Sequence, residues 1–192
     1  MAFYDTPIAD LDAASAFDPA WPLPHAMKAG FLFSLTEPNL VEQATQHLDA
    51  ARALVNTHTP ARERAHVEAL QLIQQGRWGA ACRTWDLLLI DHPRDALALQ
   101  WAQLWDFYRG DAPSLRARPA RALPDWDEDD PLYAHVLALW AFGLEENHLH
   151  AAAEDAGRRA LAIDPRAPCA VHAAAPALHL HPRLADRPAS PP

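Results

Sequence analysis

Histidines, cysteines and carboxylates are the side chains of this 192-residue sequence that could do chemistry, and their spacing is sparse. His66, His135 and His172 fall on separate amphipathic segments, and three neutral imidazoles brought together would suit a metal ion. No two histidines stand at i, i+4 with a glutamate between them, so the zinc-protease spacing is missing. His148 and His150 are two apart in a turn. Cys82 and Cys169 form neither a disulfide framework nor a Cys-x-x-Cys pair, and read as reduced thiols. The acidic run from Asp125 to Asp130 could dock a basic partner or a cation, but it lacks the glycine and later glutamate of a calcium loop. It reads as a solvated loop whose aspartates cap a helix opening at Pro131. Trp85 and Trp140 stand at packing offsets, and Trp101 and Trp105, at i, i+4 on one helix, read as core. There is no phosphate-cradling glycine loop and no Gly-x-Ser-x-Gly, and six glycines exclude a dinucleotide fold. The expectation is no catalytic residue, no metal ligand and no cofactor.

Charge narrows the partners. Sixteen Lys and Arg against 25 Asp and Glu give a net charge of −9, which argues against a nucleic-acid backbone as partner. Fifteen of the sixteen basic residues are Arg, and Lys28 is the single lysine. The first ten residues carry Asp5 and Asp10 without a basic cluster, unlike a secretory signal. The longest apolar run, Val136 to Leu144, is nine residues, whereas a membrane span needs about 20. A cytoplasmic protein without a membrane partner is expected.

Forty-one Ala and 26 Leu stand against only 15 Val, Ile and Thr together, which favours helix and disfavours sheet. Gly76 and Gly110 lie 34 residues apart, each following a segment of helical period. Downstream of Gly76 come Ala81, Trp85 and Pro93, and downstream of Asn147 come Ala153, Gly157 and Pro165 at matching offsets. This is the 34-residue tetratricopeptide pattern. Small residues (Ala69, Ala81, Ala141, Ala153) let antiparallel helices approach, and Pro93 and Pro165 stop the second helix of a pair. The fold expected is all-α: a solenoid of antiparallel helix pairs with no sheet. Its helices are predicted at 24–35, 39–56, 60–75, 78–91, 95–109, 113–122, 131–146, 149–163 and 167–175, with Pro119 shortening or kinking the sixth. Asp130-Pro131 and Thr59-Pro60 both read as a cap followed by proline at the first helical position. Residues 1–21 read as the remnant of a preceding helix plus linker, 22–175 as repeats, and 176–192 as a Pro-rich disordered tail.

In such a stack the first helix of each pair lines a concave groove. The positions that would line it are Glu63, His66, Leu70 and Ile73, then Leu97, Gln100, Leu104 and Phe107, then His135, Ala138, Phe142 and Glu145, with Cys169 and His172 beginning a fourth set. No Lys or Arg stands among them, so a groove clamping a terminal carboxylate is not expected.

Several motifs in order resemble the tetratricopeptide repeat protein 38 family. They are Asp18-Pro19, His25-Ala26-Met27, Arg62-Glu63-Arg64-Ala65-His66-Val67, His92-Pro93-Arg94-Asp95, Arg121, Pro124, Trp126, Phe142-Gly143-Leu144-Glu145, the run from Ala160 to Pro165, and Ala170-Val171-His172. The resemblance spans about residues 11 to 175, and family members are longer at both ends. It implies a helical-repeat scaffold and brings no reaction or cofactor with it. After His172, Pro176 stands where that pattern has a second His, and His179 where it has a Glu. The bias toward Pro, Arg, Ala and His from there on is that of a shifted or truncated reading frame, beginning near 173–177. The function expected is a non-enzymatic scaffold holding a protein or peptide on its concave face. The alternative is a fragment of an enzyme, or of a small-molecule or metal-binding protein, completed by further helices around His172.

Overall fold

Alanine- and leucine-rich segments form helices throughout the computed structural model, which describes residues 5–165. Among these residues there are nine α-helices and no strand. They are α1 Asp5–Phe17, α2 Pro22–Ser34, α3 Val41–Leu54, α4 Ala61–Gln74, α5 Trp78–Asp91, α6 Ala96–Tyr108, α7 Ala112–Ala122, α8 Tyr133–Glu146 and α9 His150–Ile163, with short 3-10 turns at Pro38–Leu40 and Leu123–Asp125. The all-helical expectation holds. The predicted helix at 167–175, His172, Cys169 and the tail all lie outside the described residues.

The chain divides between His92 and Pro93 into two units. In the first, α2 packs on α3, α4 on α5, and α2 also on α4, with α1 laid on α2. In the second, α8 packs on α9 and on α7, α6 on α7, and α6 also on α8. Each unit therefore combines pairs of sequential helices with contact between the first helices of neighbouring pairs, which is compatible with a helical repeat.

The helices α4, α6 and α8, each the first of a pair, end in the same way. Gly76 after α4 and Gly110 after α6 both have φ of +71°. Gly76 N–H bonds the Ile73 carbonyl at 2.9 Å and Arg77 N–H reaches Leu72 at 2.8 Å; Gly110 to Phe107 and Asp111 to Asp106 repeat the geometry. These paired bonds are the Schellman closure, which satisfies carbonyls that the helix end leaves open. After α8 the same two bonds run from His148 to Glu145 and from Leu149 to Leu144, with His148 in the left-handed region at φ 60°. Thr36, after α2, has φ 54°.

Close approach follows from small side chains. Ala69, Ala81, Ala141 and Ala153 are fully buried, as expected of helix-contact positions, and Trp85 fills the first unit's core. In the second unit a Cβ on Gly143 would run into the Leu115 carbonyl and stand 2.7 Å from Arg116 Cα. Pro119 has no N–H to bond that same Leu115 carbonyl, so α8 lies against the one turn of α7 whose ladder is interrupted. Pro119 is thus accommodated inside an 11-residue α7 rather than ending it.

Two predicted helix starts are corrected. Asp130 does not cap α8, which begins at Tyr133; its carboxylate accepts the Asp127 N–H at 2.8 Å and pairs with Arg94. The loop needs these bonds more than the helix does, because Trp126 is buried in it, with its indole N–H on the Pro93 carbonyl at 3.2 Å. Thr59 likewise accepts from Asn56 N–H, and Pro60 takes the cap position of α4. True side-chain caps occur at Asp95, accepting from Ala98 N–H at 2.8 Å, and at Asp111, accepting from Ser114 N–H.

Candidate functional site

The proposed groove positions separate into two classes. In the first unit His66 and Leu70 are fully buried, which corrects their assignment to an open groove. His66 Nδ1 accepts the Trp85 indole N–H at 3.2 Å, so this imidazole is a core residue that satisfies a buried tryptophan. It does not face a solvent-filled site where a metal could enter. Ile73 is also core. Glu63 stays half-exposed and accepts the Trp21 indole N–H at 3.1 Å.

In the second unit Gln100, Leu104, Phe107, His135, Phe142 and Glu145 all keep some exposure, whereas Ala138 among them is buried. The rings of Phe107 on α6 and Phe142 on α8 meet edge to face, 5.5 Å between centroids. Tyr108 lies 6.0 Å from Phe107 and 5.5 Å from Trp105. Phe107 is 46% exposed and Tyr108 37%, so this aromatic cluster reaches the surface. Burial holds the His135 imidazole below its ordinary value and pushes the Tyr108 phenol up. The face offers apolar and aromatic surface with Gln100, His135 and Glu145 as its polar groups, and a partner's apolar side chains suit it. Among the described residues no group of three His, Cys, Asp or Glu could hold a metal ion.

Two polar groupings escape a reading by helix position. Lys28, the single lysine, is buried on α2, its ammonium donating to Asp12 of α1 and standing 3.5 Å from Ser15 Oγ. His25 and His47 flank it with ring centroids 6.4 Å apart, and His25 Nδ1 is a buried atom without a hydrogen-bond partner. Desolvation, then the Lys28 charge, holds both imidazoles below their ordinary value, whereas hydrogen bonding to Lys28 lowers Asp12. The one signal in sequence was a lone Lys among fifteen Arg. The second grouping is a cleft of about 460 Å³ between α3 and α4, lined by Arg52, Val55, Arg64, Val67, Glu68 and Gln71. Its cations come from two helices and from positions outside the predicted groove, so a search along groove positions passes over them.

No protein-family model and no solved structure matches the chain. Among the described residues no helix is long and apolar enough to cross a membrane.

Proposed function

We propose that this chain is a tetratricopeptide-like helical-repeat scaffold, non-enzymatic, that holds a protein or peptide through the first helices of its pairs. The observation that carries this reading is the Phe107–Phe142 contact, an aromatic pair shared by α6 and α8 with Phe107 46% exposed. Exposed, clustered aromatics cost solubility unless something covers them, and they are the residue types that dominate binding energy at interfaces. The repeated Schellman closures after α4, α6 and α8 support the repeat part of the reading, since one turn chemistry recurs where a solenoid requires the chain to reverse. The resemblance to the tetratricopeptide repeat protein 38 family points the same way.

The test is selection of a displayed peptide library on the full chain, followed by Phe107→Glu and Phe142→Gln variants. Selected peptides should bind the parent and lose roughly tenfold or more on Phe107→Glu, the scale of one truncated aromatic anchor. Phe107 is exposed, so the variant should melt with the parent. Peptides that bind both variants as tightly as the parent would overturn the assignment of this face.

A further inference from the structure

We infer that the cleft between α3 and α4 binds a small zwitterion, a molecule carrying a carboxylate and an ammonium a few ångströms apart on an aliphatic body. The inference stands apart from the scaffold reading and concerns the first unit alone. The cleft is open to solvent and has a volume of about 460 Å³, within the roughly 300–1,000 Å³ of small-molecule sites.

Its lining is divided by charge. Arg52 donates to Asp49 at 3.0 Å, one turn back on α3, and Arg64 donates to the Thr59 carbonyl before α4. Each guanidinium is thereby tethered by one partner while keeping further N–H donors, the arrangement that suits a carboxylate. Glu68 follows Arg64 by one turn on the same helix face, where i, i+4 residues stand about 5–6 Å apart at Cβ. A cation N-terminal to an acid is the weaker order for a helix pair, and the Thr59 carbonyl draws Arg64 toward the helix start instead. Among the described residues Glu68 carries no ion pair. Arg52 already forms an ion pair with Asp49, whereas Arg64 and Glu68 are held a short way apart on one wall of the cleft rather than paired with each other. Val67, 4% exposed, and Val55 supply an apolar surface beside them, and the Gln71 amide adds a neutral donor and acceptor. A ligand that satisfies all of these groups has a carboxylate for Arg52 and Arg64, an ammonium for Glu68, and a short aliphatic chain for the valines. Amino-acid-like molecules have that chemistry.

Three probes separate the elements of recognition: norleucine, which carries both charges, hexanoate, which lacks the ammonium, and hexylamine, which lacks the carboxylate. Each is titrated at millimolar concentration into the 192-residue chain, and backbone amide shifts are followed by nuclear magnetic resonance. The expected result is that norleucine shifts residues 52–71 and binds tighter than either single-charge probe. The double variant Arg52→Gln/Arg64→Gln should weaken norleucine by about tenfold, the loss expected when charge-assisted bonds to a carboxylate go. Glu68→Gln should weaken norleucine and strengthen hexanoate. These three residues are exposed, so the variants keep the parent's melting behaviour. The inference is overturned if no probe shifts residues 52–71, or if the double arginine variant binds norleucine like the parent. It is equally overturned if hexanoate or hexylamine matches norleucine on the parent chain, which would leave a site for one charge only.

Discussion

Asp106 shows how much a single buried side chain governs. It is fully buried on α6, bonded to Arg109 Nε at 2.8 Å and paired with the buried Arg118 of α7. Removing one member of such a pair leaves an uncompensated charge out of water. Asp106→Ala should therefore cost about 3–5 kcal/mol, the range for a broken buried pair, and lower the melting temperature accordingly. Arg118→Ala should be milder, because Arg109 remains on the carboxylate. The Lys28 cluster makes a pH prediction. His25 and His47 have values lowered by burial, so the unfolded chain takes up their protons first. Their contribution is intact above the ordinary histidine value of about 6.5 and is lost as pH falls through it toward the folded values. Asp12, lowered by its bond to Lys28, adds a second loss below its ordinary value of 3.8. Melting followed from pH 8 to 4 should fall through the histidine range, and the double variant His25→Gln/His47→Gln should flatten that part of the curve. An unchanged profile in the double variant would assign the acid sensitivity to other groups.

At the scale of elements, the left-handed residues after α2, α4, α6 and α8 form a natural series. Gly76 and Gly110 have open space around the position of a Cβ, so Gly→Ala there tests backbone strain alone. Each substitution should cost about 1 kcal/mol, since the left-handed region disfavours Ala by roughly 1–2 kcal/mol while Gly loses more chain entropy on folding. Thr36 and His148 sit in that region without being glycine. Thr36→Gly should stabilise, and by more than His148→Gly, because a β-branched residue is the more strained of the two there. Denaturant midpoints at constant slope would measure all four. The acidic loop gives the complementary lesson. Its aspartates stand where helix caps are expected, yet Trp126 and Arg94 organise the segment: the guanidinium lies 5.6 Å from the Trp126 ring centre and also pairs with Asp130. Nothing local in the sequence says that a tryptophan inside an acidic run will turn inward.

For the whole molecule, each unit has its own core, Trp85 with Leu48 and Leu70 in one, Leu115 with Leu137 and Leu139 in the other. Damage to one core should then register unequally. Gly143→Ala forces α8 off the α7 backbone at Leu115. It should cost about 1–3 kcal/mol or more, the usual range for overpacking, with backbone atoms unable to yield as side chains do. Hydrogen exchange should accelerate in α6–α9 well before it does in α2–α5. Equal acceleration throughout would mean that the chain opens as one cooperative body.

Composition and period alone determined the helices. Ala and Leu in place of β-branched residues removed the sheet, and proline and glycine punctuation placed α5 at 78–91, as the structure has it. These signals act within a few residues along the chain, so they can be read without knowing what lies across it. Only tertiary structure decided which helical faces are open. Ile73 and Phe107 occupy equivalent predicted groove positions, yet one is 4% exposed and the other 46%. The Arg52–Arg64 cleft and the Lys28 cluster belong to the same class, because burial and the meeting of charges depend on neighbours brought together from distant segments, and a period counts only neighbours in sequence.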